Sequence, residues 1–325
     1  MKAKKKKERI AVLTSGGDAP GMNAALRAIV RCAHARGIRP IGVRHGYQGL
    51  IQNDFLDMGP RAVSNIIQRG GTILKTSRCK EFETAAGLRK AKENLERAGI
   101  DGLIVIGGDG TYRGAIDLGK IWKGPITGVP GTIDNDLDGT DDTVGYATAV
   151  DTALEAIDKL RDTAESHDRF FVLEVMGREA GFIALSAGIA GGAEEIFVPE
   201  VRQDLRRVAR RLAEARKRGK TSSIVVVAEG CQGGAGEVAE KLQAYTGFEY
   251  RLTILGHVQR GGSPKVQDRI LGTELGAYAF EKLLEDKSGA AGKIRGELVL
   301  VPFPLTLKKK KLSSFLMGLV PHLST

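Results

Sequence analysis

The segment LIVIGGDGTYRGA, residues 103–115, joins a short apolar run to a glycine-rich turn that contains Asp109. A run of this kind is typical of a buried strand, and the residues after the turn have helical spacing. The segment ITGVPGTIDND, residues 126–136, likewise passes from an apolar run to small residues and to Asp134 and Asp136. Parallel α/β sheets carry their chemistry beyond the carboxyl ends of the strands, so we expect the three carboxylates at one sheet edge.

The rest of the chain repeats this alternation of short apolar strands and helices. The pattern predicts a doubly wound, mainly parallel α/β protein with helices on both faces of its sheets. A long helix predicted over 143–164 marks a domain boundary near 145, and we expect two three-layer α/β/α domains with the active site in the cleft between them. Strands are predicted at 10–13, 38–43, 101–106, 125–129, 170–175, 195–198, 223–228, 252–257 and 297–301.

The composition is that of a globular protein, with 42% hydrophobic and 27% charged residues. The net charge is +10. We assign most of it to lysine-rich ends, residues 2–9 and 308–311, which we interpret as solvated tails rather than a nucleic-acid footprint. Three cysteines without a C-x-x-C pair predict a reducing, cytoplasmic location. The absence of an 18-residue apolar stretch predicts no membrane partner. The position of the basic residues at the chain ends predicts no nucleic-acid partner.

The glycine-rich turns predict phosphoryl transfer. Backbone N–H groups of such turns bind anions, and a carboxylate such as Asp109 suits Mg²⁺. A third segment, RIAVLTSGGDAPGMN at 9–23, has the P-loop spacing from Gly16 to Gly21, but Met22 and Asn23 replace the Lys and Ser/Thr of a Walker A motif. The segment also lacks the G-x-G-x-x-G pattern of a dinucleotide site.

Asp134 and Asp136 suit a base for a substrate hydroxyl and an acid that orients it. In an extended loop both would face one side and Asn135 the other. The alternative is an Asx-rich turn in which these side chains bind their own backbone.

Basic residues in RLTILGHVQRGG, 251–262, predict a phosphate site, because Arg251, His257 and Arg260 would lie on either side of one strand end. A structural role for His257 and a turn-capping role for Glu229 stay open. A helix predicted over 21–36 carries Arg27 and Arg31 as a cationic stripe, which is either an anion site or a solvated face.

These motifs resemble those of the ATP-dependent 6-phosphofructokinases of bacterial type. The resemblance runs from about residue 9 to about residue 292. It implies transfer of the γ-phosphoryl group of MgATP to the 1-hydroxyl of fructose 6-phosphate in glycolysis, by an allosteric cytoplasmic homotetramer. The motifs that carry it are LTSGGDAPGMNAALR, GGTILKTSR, IGGDGTYRGA, VPGTIDND, EVMGREAG, AEG and RLTILGHVQRGGSP.

The resemblance also implies residue roles. A larger nucleotide-binding domain would comprise 1–145 plus 259–307, and a smaller sugar-phosphate domain 146–258 plus 308–325. The implied catalytic residues are Asp134 as base, Thr132, Asp136 and Arg178. The implied ATP-binding residues are Gly17, Arg78, Cys79, Gly108, Asp109, Gly110 and Thr111, with Asp109 also the Mg²⁺ ligand.

Two further sets follow from the resemblance, and some of their members would act across subunits. Arg169 and Arg251 are implied to reach in from a neighbouring subunit. The substrate set is Thr132, Ile133, Asp134, Arg169, Met176, Gly177, Arg178, Glu229, Arg251, His257, Val258, Gln259 and Arg260. The set for an ADP or phosphoenolpyruvate effector is Arg27, Arg31, Arg161, Gly192, Glu194, Arg218 and Lys220.

Glycines at two positions favour ATP as the donor. Related pyrophosphate-dependent enzymes carry an acid at the position of Gly110 and a lysine at the position of Gly131, and these side chains would fill space that ATP needs. The rival functions are a pyrophosphate-dependent phosphofructokinase, a lipid or dinucleotide kinase with a GGDG loop, and a non-catalytic nucleotide-sensing subunit. A lipid or dinucleotide kinase would leave Arg251, His257 and Arg260 unexplained.

Overall fold

Two units make up residues 7–323, which the computed structural model describes. The first unit comprises the chain up to Ile133, Leu137–Ala147 and Arg260–Lys310. The second unit comprises Asp134–Asp136, Thr148–Gln259 and the chain from Lys311 onward. Asp134–Asp136 therefore group with the second unit, whereas we expected them in the portion that ends near 145.

The sheet of the first unit has, within residues 7–323, eight strands in the order β12-β11-β5-β4-β1-β2-β3, with β6 beside β5. The central strands are parallel, and Val105 of β4 lies between Leu13 of β1 and Gly128 of β5. The edge pairs β2–β3 and β11–β12 are antiparallel. The strands are β1 Arg9–Thr14, β2 Arg39–Val43, β3 Phe55–Asp57, β4 Gly102–Gly107, β5 Ile126–Thr132, β6 Val144–Gly145, β11 Gly289–Ile294 and β12 Glu297–Val301.

Helices cover both faces of this sheet. On one face of the sheet, α1 (Met22–Ala35) packs closely against α9 (Val266–Leu284). A Cβ on Gly276 of α9 would lie 2.6 Å from the Ala25 carbonyl oxygen of α1, so only glycine permits this spacing. Every residue of β4 is buried, as expected of a central parallel strand. The helices are α1 Met22–Ala35, α2 Gly46–Gln52, α3 Ala85–Arg97, α4 Asp109–Ile121, α9 Val266–Leu284 and α10 Phe303–Thr306.

The second unit has a four-stranded parallel sheet in the order β10-β7-β9-β8 over the described residues. Its core includes Val172, Val225 and Leu212. The strands are β7 Phe170–Val175, β8 Glu195–Phe197, β9 Ser223–Ala228 and β10 Tyr250–Ile254. The helices are α5 Tyr146–His167, which begins in the first unit, α6 Phe182–Ala190, α7 Leu205–Lys217, α8 Gly234–Thr246 and α11 Ser314–Leu323.

The predicted doubly wound α/β class is confirmed. Each predicted strand is present, although the one expected at 252–257 lies at Tyr250–Ile254 and is followed by a 3₁₀ turn, Gly256–Arg260. The prediction missed β3, β6 and β11. β11 has the sequence GAAGKI, whose first four residues lack the β-branched side chains typical of strands. At one of them, Gly292, a Cβ would lie 2.1 Å from the Gly139 carbonyl oxygen, so glycine is required there.

Where the structure describes them, the lysine-rich ends are not free tails, although Lys308, Lys309 and Lys311 are exposed as the interpretation of a solvated segment predicted. Lys7 forms an ion pair with Asp286. Lys309 pairs its backbone with Leu137, and Lys310 Nζ donates to the Asp141 carbonyl oxygen at 2.7 Å. Lys2 and Lys4–Lys6 lie outside the described residues. Over residues 7–323, no helix combines the length and apolar character needed to cross a membrane.

Candidate functional site

The GGDG turn connects β4 to the first turn of α4. Gly108, the residue before the helix, is extended and offers no side-chain cap, so the N–H groups of the first turn are available to an anion. Thr111 Oγ1 donates to the Ser15 carbonyl oxygen at 3.1 Å. A Cβ on Gly107 would lie 2.3 Å from both of these oxygens, so glycine is required where the turn meets the end of β1.

Gly17 lies exposed at that end of β1, next to the guanidinium of Arg260. A Cβ on Gly17 would lie 2.9 Å from Arg260 Nη1. We predicted Arg260 among the sugar-phosphate ligands and Gly17 among the nucleotide ligands. Within the first unit, the structure places this guanidinium directly against the glycine turn that follows β1.

The loop at 69–78 is anchored by the residues around β1 and the start of α1. Asn23, only 1% exposed, donates to the Arg69 and Gly70 carbonyl oxygens at 3.1 and 3.3 Å and accepts from the Ile73 N–H at 2.9 Å. Thr14 Oγ1 donates to the Lys75 carbonyl oxygen at 2.8 Å. From the sequence we interpreted Asn23 only as the absence of a Walker residue and did not predict this role. Arg78 is the last residue of this loop and is exposed, and Cys79 follows it and is half-buried.

The chain passes from the first unit to the second directly after β5. In the first unit, a Cβ on Gly108 would lie 3.6 Å from Thr132 Cβ, so Thr132 borders the GGDG turn, whereas Ile133 is buried. In the second unit, Asp134 is 4% exposed. Asn135 has φ 53°, in the left-handed region, so the predicted extended loop with alternating side chains is wrong.

Gly110 and Gly131 differ in the space around them. A Cβ on Gly110 would have no atom within 4 Å, so there is open space next to Asp109. A Cβ on Gly131 would lie 2.9 Å from Met22 Cε and 3.0 Å from Ile106 Cγ2. Gly131 therefore faces the core, and the argument from space for ATP rests on Gly110 alone.

The acidic residues fit a magnesium ion that arrives with phosphate. No group of three His, Cys, Asp or Glu side chains among residues 7–323 forms a metal cluster. Asp109 is half-buried at the start of α4, beside the open space at Gly110. One carboxylate suits Mg²⁺, which keeps several waters and takes its other ligands from phosphate oxygens.

The second unit carries a strained loop after β7. Gly177 has φ 147° and Arg178 has φ 53°. Glu229 Oε1 holds both residues, accepting from the Gly177 and Arg178 N–H groups at 3.2 and 2.7 Å. Glu229 therefore stabilises this loop rather than the turn that follows it.

Gln259 is also a supporting residue. Its side chain is fully buried, and Oε1 accepts from the Met176 N–H at 2.7 Å. We predicted that Gln259 contacts the substrate, whereas its buried side chain contacts the backbone of Met176 instead. His257 and Val258, its neighbours, are exposed.

The predicted basic residues do not share one strand end. Arg169 precedes β7, and Arg251 is the second residue of β10, opposite Phe171. Arg178 and His257 follow the other ends of these strands. The six residues of β7 span about 20 Å at 3.3 Å per residue, so Arg169 and Arg178 lie at opposite edges of the sheet. The expectation that Arg251 and His257 flank one strand end is wrong, because Arg251 lies at the start of β10 and His257 lies beyond its other end.

Part of the predicted effector set converges in the second unit. Glu194, 3% exposed, lies 2.9 Å from Lys220 Nζ and 3.6 Å from Arg161 Nη1. Arg161 Nη2 also donates to the Gly191 and Gly192 carbonyl oxygens at 2.7 Å each. The structure does not bring the side chain of Arg218 into this cluster; Arg218 directly follows α7 and is exposed.

Arg27 and Arg31 lie in the first unit on α1, half-buried and exposed respectively. Neither has an ion pair or side-chain hydrogen bond with another residue of the described chain. The predicted cationic stripe is therefore present, whether it binds an anion or water.

Comparison with known proteins identifies the family. A family model described as Phosphofructokinase matches residues 9–283. ATP-dependent 6-phosphofructokinase 1 of Thermus thermophilus is 56% identical over 306 residues, which cover 94% of this chain and 95% of that protein.

Solved structures have the same fold. Phosphofructokinase from Saccharomyces cerevisiae matches with a TM-score of 0.89 and 35% identity, over 98% of this chain and 47% of that one. Pichia pastoris phosphofructokinase in the T-state matches with a TM-score of 0.89 and 34% identity, over 99% of this chain and 37% of that one. The chain spans less than half the length of these two yeast chains. The predicted family is confirmed: this chain belongs to the phosphofructokinase family.

Proposed function

We propose that this protein is a cytoplasmic ATP-dependent 6-phosphofructokinase of glycolysis. It transfers the γ-phosphoryl group of ATP to the 1-hydroxyl of fructose 6-phosphate and forms fructose 1,6-bisphosphate. The observation that carries the proposal is the open space at Gly110, next to Asp109 and the uncapped start of α4, which suits a nucleotide with its magnesium ion. Relatives named as ATP-dependent 6-phosphofructokinases support the same donor.

In this proposal the first unit holds the nucleotide. Backbone N–H groups of the GGDG turn bind phosphate oxygens, and Thr111 contributes its own N–H because its hydroxyl donates to Ser15. Asp109 would hold Mg²⁺, which supplies charge neutralisation of the phosphates when bound. Gly17, Arg78 and Cys79 complete the nucleotide set, and Thr132 borders it.

The second unit holds the sugar phosphate and the base. Asp134 accepts the proton of the attacking hydroxyl, with Asp136 as an orienting group. Arg178 stabilises charge on the transferred phosphoryl group. Met176, Gly177, Glu229 and His257 act as sugar-phosphate contacts, and Gln259 positions Met176.

The proposal includes a homotetramer with shared sites. Arg169 and Arg251 lie at the sheet edge opposite Arg178 within one chain, which supports their service in a site of another copy. Allosteric control would act through Arg27 and Arg31 together with the Glu194 cluster, and would take ADP or phosphoenolpyruvate as effector.

A coupled assay with fructose 6-phosphate, Mg²⁺ and either ATP or pyrophosphate tests the proposal. We expect turnover with ATP and none with pyrophosphate. Turnover with pyrophosphate alone would replace ATP as the donor. Absence of turnover with both, in protein that still binds ATP, would favour a nucleotide-sensing subunit.

A further inference from the structure

The surface of α7 in the second unit carries a concentration of positive charge. Nine Lys or Arg residues and only two acids lie between Arg202 and Lys220. The apolar side of α7 faces the core of the unit, through residues that include Val208 and Leu212. Most of the cations therefore lie on the solvent side. The tally of net charge, which placed the basicity at the chain ends, missed this concentration.

Some of these cations have partners. Arg211 binds Glu195 with two hydrogen bonds of 2.7 Å each. Arg216 donates to the Thr221 carbonyl oxygen at 2.7 Å, and the Arg206 guanidinium lies 5.6 Å from the centre of the Tyr245 ring. These three are accounted for by contacts within the unit.

Three others form what we call the α7 basic face: Arg207, Arg210 and Lys217. All three are exposed, and none has an ion pair or side-chain hydrogen bond within residues 7–323. Their spacing of three and seven residues places them on one side of the helix, with Glu214 as the acid among them. Three unpaired cations on a single helix side repel one another and are stabilised by an external anion.

The geometry of the α7 basic face selects an extended anion. The face spans ten residues, or about 15 Å along the helix axis at 1.5 Å per residue. A single phosphate group cannot contact all three side chains at once. Each strand of a DNA duplex carries one charge about every 3.4 Å along the helix axis, so four or five successive phosphates of one strand cover the same length.

The chemistry of the face disfavours two other partners. An interfacial membrane helix needs an exposed apolar side, and the apolar side of α7 is buried. A protein interface needs an apolar centre with aromatic anchors, whereas this face is charged throughout. We infer that the α7 basic face binds the phosphate backbone of duplex nucleic acid without reading its sequence.

Fluorescence anisotropy of the full-length protein with a labelled 20-base-pair DNA duplex tests the inference. Each phosphate contact adds about 0.9 to the slope of log K against log salt. The triple variant R207Q/R210Q/K217Q should lower that slope by about 2.7 and weaken binding at low salt by about tenfold or more. Because none of the three residues belongs to the proposed catalytic or effector sets, the ATP-dependent turnover should be unchanged.

A matched control separates the face from net charge. The variant R89Q/K123Q/R295Q removes three other exposed cations that likewise have no side-chain partner in the described chain, and should bind the duplex as the unmodified protein does. The variant R207K/R210K/K217R keeps the charge and should keep most of the affinity, which guards against a folding defect in the triple variant. Poly-glutamate and phosphatidylserine vesicles should compete weakly.

Three results would overturn the inference. One is duplex affinity that is too weak to measure at low salt. Another is an equal loss of affinity in the control and the triple variant. The third is binding of poly-glutamate or of the vesicles that is as tight as binding of the duplex and equally sensitive to the triple variant.

Discussion

Asp134 is a buried carboxylate in a turn whose shape Asn135 sets through its left-handed backbone. As the proposed base, it is needed mainly in the transition state. The variant Asp134→Asn should therefore lower kcat by about 10²- to 10⁴-fold while the KM for fructose 6-phosphate stays within about threefold. The nearby exposed Asp138 provides a control, since Asp138→Asn should keep near-normal kcat. Steady-state kinetics of both variants test this prediction, and a near-normal kcat of Asp134→Asn would show that Asp134 is not the base.

Substitutions at Gly110 and Gly131 should have opposite effects on stability and on ATP binding. A Cβ at Gly110 meets no neighbouring atom, so Gly110→Asp should leave stability unchanged. It should raise the KM for ATP by about tenfold or more, because its charge repels phosphate. Gly131→Ala places a methyl group against Met22 and Ile106 and should cost about 1–3 kcal/mol of unfolding free energy. Urea unfolding and ATP titration of both variants check this; a destabilised Gly110→Asp would contradict it.

Glu195 gives a prediction about pH. Burial raises the pKa of Glu195 and outweighs the opposing ion pair with Arg211. A raised pKa means that the folded state holds the proton more tightly than the unfolded state, so Glu195 lowers stability as pH rises above about 4.5. Glu195→Gln removes this loss. Its Tm, relative to the unmodified protein, should increase from pH 4 to pH 7, and a constant or falling difference would refute the argument.

At the scale of elements, Asn23 joins α1 to the loop at 69–73 through three hydrogen bonds. Asn23→Ala leaves these backbone groups without their partner and should cost about 2–4 kcal/mol of unfolding free energy. Asn23→Asp keeps the acceptor for the Ile73 N–H and should cost less than Asn23→Ala. Chemical denaturation measures the unfolding free energy of both variants. Equal stability of Asn23→Ala and the unmodified protein would show that the loop does not depend on Asn23.

At the scale of the whole molecule, opposite ends of β7 carry Arg169 and Arg178. If sites are shared between copies, Arg251→Ala and Asp134→Asn chains are each inactive alone. Mixed after unfolding and refolding together, they should recover about a quarter of the activity, because some sites combine intact residues from both. A mixture that stays inactive, from chains that refold separately with native Tm, would show that each site draws on one chain.

Much of the fold follows from local pattern. The apolar runs before the glycine turns predicted the central strands, since buried parallel strands need continuous hydrophobic residues. The sequence did not predict β11 because its small residues lack the pattern of a strand. One of them, Gly292, is required by the distant Gly139 backbone, and no local rule indicates that neighbour. The turn at Asn135 was not predicted because the sequence does not show that the backbone of this residue is left-handed.

The sequence by itself determined the α/β class, the family and the residue types needed for phosphoryl transfer, because these depend on short motifs and on alternation along the chain. Only the tertiary structure decided which residues contact and support one another. It showed that Glu229 and Gln259 hold the loop at 176–178, that Gly131 faces the core, and that the solvent side of α7 gathers unpaired cations. Such relations join residues far apart in the chain, and only packing determines which of them meet.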